Sequence, residues 1–215
     1  MPLTQQISDT LDQYFTAIPE KVSYMHETLL LEHCGLYGLL DPRSELEAEW
    51  LSRPEIIKGL LWGTPRYGHP EGTVAFHINE VYRNIDALAD QSLNAELRLV
   101  ALIHDTFKYE EDRSMPRDWS RHHGNIAAKY MTRDYCERHI VNLVKLHDEA
   151  FYAWRAFHQH SNQVESERRL KIIEESMEEN LKFYVNFFIC DTLTGDKIKT
   201  PIVWLVEQAQ MRNWF

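Results

Sequence analysis

Apolar residues recur along most of this chain at intervals of three and four, the spacing of one face of an α-helix, and no run alternates for long enough to suggest a strand. Ile7, Leu11, Tyr14, Phe15 and Ile18 mark a first amphipathic helix over residues 4–17, which Pro19 breaks. The pattern resumes through Val22, Met25, Leu29 and Leu30 and stops in the region of Gly35 to Gly38. Asp41-Pro42-Arg43-Ser44 signals a turn and the start of an acidic helix reaching about Leu51, and Pro54 opens another that runs to Trp62. Residues 63–72 are the richest stretch in glycine and proline and read as a loop.

Beyond this seam, Thr73 is expected to cap a helix that carries Val74, His77, Val81 and Ile85 on one stripe. The next helix, Leu93 to Phe107, ends in the doublet His104-Asp105, and the polar residues 109–116 form a loop able to reach over that end. A helix beginning near Arg121 places His123, Ile126, Ala127 and Tyr130 on one face. Another, from Tyr135 to about Glu149, leads from Ile140, Leu143 and Val144 to His147. Residues 151–162 show no clean period, which suggests a short helix and a loop. Val164 to Leu193 reads as one long helix whose second half is buried, and Lys199 to Arg212 as the last helix. The prediction is an all-α bundle, with an N-terminal helical appendage over residues 1–62, a main body over 63–198 and a C-terminal helix within 199–215 packed on it.

Composition narrows the classes further. The 215 residues suffice for one well-buried core, and 44% hydrophobic with 26% charged residues is the balance of a globular protein rather than a disordered or fibrous one. A net charge of −10 and the lack of a dense Lys/Arg run argue against long nucleic acids as partners, while a local cationic pocket for a small anion stays open. Cys34, Cys136 and Cys190 have no CxxC spacing and read as reduced thiols. There is no signal-peptide pattern and no apolar run of about 18 residues, so the expectation is a cytoplasmic protein without a membrane partner.

The candidate chemistry lies in polar residues on apolar faces. Val100, Ala101 and Leu97 precede His104 by three, four and seven residues, and Phe188, Phe187 and Tyr184 precede Asp191 in the same way. A single such histidine is more often a satisfied core residue than a ligand, and His26, His33 and His69 are read as surface, capping or turn residues. Five helices each bringing such a group to one core are another matter: His77, His104 with Asp105, His123, His147 and Asp191. Imidazoles and carboxylates without thiolates are the donor set of Mn, Fe, Co, Ni or Zn. Four such ligands suit one ion, and all six suit two ions roughly 3.5–4 Å apart.

With these residues in place the chain resembles the HD superfamily of metal-dependent phosphohydrolases, whose pattern is a His, a His-Asp doublet and a distant Asp, all on helices. The resemblance rests on His77 in Thr-Val-Ala-Phe-His-Ile, His104-Asp105 in Ala-Leu-Ile-His-Asp and Asp191 in Phe-Ile-Cys-Asp-Thr, over about residues 65–195. His123 and His147 are similar to the two further histidines of binuclear members, and His122 is the alternative to His123. The glycine usual after the doublet is Phe107, and Asp148 follows His147 where a second histidine is common. Lys108 stands where a phosphate-contacting lysine is often found and where alarmone hydrolases have a Glu, which counts against that activity.

The resemblance implies one divalent transition-metal ion on His77, His104, Asp105 and Asp191, with Asp105 able to bridge to a second on His123 and His147. Asp105 and Lys108 are its catalytic candidates, and a small phosphoester, such as a mononucleotide, is the expected substrate. A di-iron oxygenase and a non-catalytic metal- or ligand-binding module are the rival readings, and the appendage could cover the site or form a homodimer.

Overall fold

The computed structural model describes residues 24–88, 91–116 and 118–214, and the helix expected over residues 4–17 lies outside them. Among the described residues the protein is all-α, with one isolated bridge, Arg66 to His69, and no strand. The helices are α1 Tyr24–Leu40, α2 Glu45–Leu51, α3 Pro54–Leu60, α4 Val74–Leu88, α5 Asn94–His104 and α6 His123–Met131. They continue as α7 Arg138–Leu146, α8 Glu149–His158, α9 Gln163–Met177, α10 Leu181–Thr192 and α11 Thr200–Met211.

Local chemistry sets many of these ends. Ser44 accepts from the backbone of Glu47 at 3.1 Å and starts α2, Pro54 occupies the first turn of α3, and Asn162 caps α9. The helical pattern breaks at Gly35 as expected: its φ of 65° is left-handed, and a second helical piece continues from the kink to Leu40. Two expectations are corrected. Thr73 Oγ1 has no hydrogen-bond partner among the described residues, and α4 starts instead with backbone bonds from Val74 to Trp62 and from His77 to Thr73. The long helix expected over 164–193 is two helices, separated by the 3-10 turn Glu178–Asn180 with φ 51° at Glu178. That break lets α9 lie on α8 while α10 turns to pack on α4 and α11. Residues 149–158, without a clean period, are nonetheless helical.

One continuous cluster of buried apolar side chains runs from Leu39 and Trp50 in the N-terminal helices, through Val81, Leu97, Leu143 and Phe187, to Leu205 in α11. A close approach within it sets the centre of the molecule. A Cβ on Gly59 of α3 would meet Thr106 O at 1.9 Å, so only glycine lets α3 lie against the turn that follows His104-Asp105. No helix among the described residues is long and apolar enough to cross a membrane.

Candidate metal centre

The chain contains two His-Asp doublets, and both end helices in the same way. His104 is the last residue of α5 with Asp105 as its C-cap; His147 is the C-cap of α7, with Asp148 leading into α8. In each, the histidine Nδ1 lies 2.8 Å from the carbonyl three residues earlier, Ala101 O or Val144 O. A carbonyl only accepts, so Nδ1 carries the proton and the Nε2 lone pair is left to face the core. These helix ends meet. The Nε2 of His104 lies 3.3 Å from that of His77 on α4, and the Nε2 of His147 lies 3.1 Å from that of His123 on α6.

Asp105 stands between the two imidazole pairs. Its Oδ2 is 3.5 Å from His77 Nε2 and 3.6 Å from His104 Nε2, while its Oδ1 is 3.1 Å from His123 Nε2 and 3.6 Å from His147 Nε2. Asp191 of α10 completes the first set, with Oδ1 2.9 Å from His77 Nε2 and 3.7 Å from His104 Nε2. All six ligand candidates of the sequence are therefore together, and the four histidines and Asp105 are buried. Nitrogen lone pairs turned toward each other and toward carboxylates, out of water, are stabilised by a shared cation. Two groups of donors, His77, His104 and Asp105, and Asp105, His123 and His147, are compact enough to hold one each.

The second set is larger than sequence reasoning made it. Asp148 Oδ2 is 3.5 Å from His123 Nε2 and 3.6 Å from His147 Nε2, so the residue after His147 brings a further carboxylate there. The available signal was the repetition of Leu-His-Asp after Ile-His-Asp, each following an apolar helical run.

His122 is excluded as the alternative to His123 by its own hydrogen bond. Its Nδ1 accepts from the backbone N–H of Gly124, so the proton of the neutral ring sits on Nε2, which points at Asp148 Oδ2 at 3.4 Å. It positions Asp148 rather than binding a metal. Behind His123 and His77 lie two glutamates from loops, with Glu111 Oε2 3.5 Å from His123 Nδ1 and Glu71 Oε1 4.0 Å from His77 Nδ1. Carboxylates behind ligating imidazoles orient them and raise their basicity. Neither glutamate falls on a helical period, so neither was visible in the sequence. His69, expected in a turn, pairs with Glu71 at 2.8 Å, and His26, His33, His158 and His160 are exposed.

The field of the centre is negative. Burial alone would raise the Asp105 carboxyl, but Lys108 and His104 outweigh it and hold Asp105 well below the usual carboxylate range. Asp191 is held down in the same way, against its burial, by Lys197 and the His104 and His77 rings. Burial lowers the His77 imidazole, and the Lys197 charge lowers it further. Without an ion, the Asp148 and Asp105 carboxylates outweigh its desolvation and push His147 up to about 9, so a metal would displace a proton from its Nε2. Lys108 forms an ion pair with Asp105, and Lys197 Nζ lies 3.2 Å from Asp191 Oδ1. Lys197 follows α10 in a turn and had no sequence signal.

A cavity of about 350 Å³ opens onto the two donor sets, with Asp105, Asp148 and Asp191 in its wall beside Lys108 and Lys197. Compared with family models, curated proteins and solved structures, the chain matches none.

Proposed function

We propose that this protein is a metal-dependent phosphohydrolase that cleaves a small phosphoester at the centre between α4, α5, α6, α7 and α10. The observation that supports the reading best is Asp105, whose two oxygens face different imidazole pairs. His77, His104, Asp105 and Asp191 would hold one divalent transition-metal ion, and Asp105, His123, His147 and Asp148 a second. When bound, such ions supply Lewis acidity and make water a nucleophile at neutral pH.

The protein's own groups account for the rest. Lys108 and Lys197 sit at the cavity wall next to the carboxylates, placed to neutralise charge that builds on phosphoryl oxygens. Glu111 and the backbone carbonyls of Ala101 and Val144 keep three imidazoles in fixed orientation, so the donor set is ready before substrate arrives.

Elemental analysis of the purified protein, followed by a phosphoester panel with Mn, Co or Ni added, tests this. Metal-dependent phosphate release that is lost in Asp105→Ala supports it. Bound metal without turnover across the panel would reassign the centre to a non-catalytic module, and iron with an oxygen-dependent colour change would reassign it to an oxygenase.

A further inference from the structure

The cavity over the centre has walls of two kinds. On the side of the donor sets are Lys108 and Lys197 with the aspartates, and no arginine lines it among the described residues. Phe151 and Trp154 of α8 and Phe188 of α10 line it as well. The Phe151 and Trp154 rings are stacked on each other, 5.8 Å apart at an interplanar angle of 21°, so helical spacing brings two aromatics together on one stretch of the lining. At the mouth stands Tyr67, a fully exposed aromatic in the 63–72 loop.

From this division we infer that the substrate is the monophosphate ester of a flat aromatic body, which lies against Phe151 and Trp154 while its phosphate meets Lys108 and Lys197. The inference rests on the reading of the centre as a phosphoester-cleaving site. Two lysines facing four aspartates leave room for little anionic charge beyond that of a single phosphate, even with divalent ions bound. A di- or triphosphate calls for further cations, most often arginines that grip it bidentately, and the wall has none. A sugar or polyol phosphate calls for several hydrogen-bonding groups, and besides the charged residues the lining offers His69, Gln159 and Thr192, whereas an aromatic ring gains both area burial and ring stacking from Tyr67, Phe151, Trp154 and Phe188.

The test uses the full-length protein loaded with Mn and two probes that cannot be hydrolysed, naphthylmethylphosphonate and methylphosphonate, with affinities measured by calorimetry. The expected result is at least about tenfold tighter binding of the naphthyl probe, about 1.4 kcal/mol. Trp154→Leu and Phe151→Leu are each expected to erase most of that preference while leaving methylphosphonate affinity unchanged. Phe151 is the less buried of the two, so it carries the test if the Trp154 variant does not fold.

Equal affinity for the two probes overturns the inference, and so does a decylphosphonate that binds as tightly as the naphthyl probe. Turnover separates this inference from the reading it rests on. A naphthyl preference without cleavage of naphthyl phosphate leaves the cavity assignment standing and removes the phosphohydrolase reading. Equal kcat/KM for glycerol phosphate and naphthyl phosphate, with equal phosphonate binding, does the reverse.

Discussion

Helix α5 carries a buried polar cluster at each end, and the two solve the problem of burial differently. Near its start, Arg98 donates from Nε and Nη2 to Glu47 at 3.3 and 3.2 Å, and from Nη2 to Leu40 O and Asp41 O at 3.1 and 2.8 Å. Its guanidinium also lies 3.7 Å from the centre of the Tyr82 ring. One cation meets one carboxylate, and the cluster closes on itself. At the other end, Asp105 shares its space with Asp148, Asp191 and imidazole nitrogens that approach to 3.1 and 3.3 Å. Lys108 and Lys197 offset only part of that charge from the edge. The first cluster is complete without a partner from outside. The second gathers buried donors that could hold a cation the chain does not itself provide.

The largest effect that separates them is expected from Arg98→Ala. Leaving Glu47 buried and unpaired should cost about 3–5 kcal/mol in urea denaturation of the metal-free protein, with metal content per folded molecule unchanged. A loss below about 1 kcal/mol would break the comparison.

Asp105→Ala is the counterpart at the other end. Because it removes an oxygen from both donor sets, metal content should fall close to zero, and the chelator-induced drop in melting temperature expected of the wild type should vanish. A variant that keeps two equivalents of metal would count against a shared carboxylate.

A smaller effect belongs to Glu111, which lies behind His123 and also pairs with Arg113 at 3.1 Å. Glu111→Gln should weaken metal binding by about 10- to 100-fold while leaving the ligand set whole. Glu111 also gives the comparison a pH axis. Burial would raise its carboxyl, but the adjacent His123 and His122 rings and Arg113 push it down to about 2 from an ordinary value of 4.5. A depressed carboxylate stabilises the fold above its unfolded-state pKa and loses that contribution as pH falls toward its folded value. The stability gap between wild type and Glu111→Gln, measured metal-free, should therefore be full above pH 4.5 and shrink toward pH 2.

The smallest effect is expected at the surface. Arg43 and Asp86 form a two-pronged pair at 2.7 and 2.6 Å, but both are substantially exposed, so Arg43→Ala should cost at most about 1 kcal/mol and respond to salt.

Much of the centre was legible because helical periodicity reports which way a side chain points. Val100 and Ala101 before His104, or Phe187 and Phe188 before Asp191, oblige the polar group to face the same interior as its apolar neighbours. Periodicity says nothing of residues outside helices, so Glu71, Glu111 and Lys197 had no signal. It also blurred Asp148, which sits in the step between α7 and α8 where the period lapses.

The amino-acid order by itself determined the all-α class, the approximate helices and the inward-facing histidines and aspartates, because these follow from contacts between residues three and four apart. Tertiary packing decided that each oxygen of Asp105 faces a different imidazole pair, that Asp148 joins the second, and that aromatic rings of α8 line the same cavity as the lysines and aspartates. Those relations depend on how helices distant in sequence meet, and at Gly59 or the turn at Glu178 they turn on close approaches and a change of direction that no local pattern encodes.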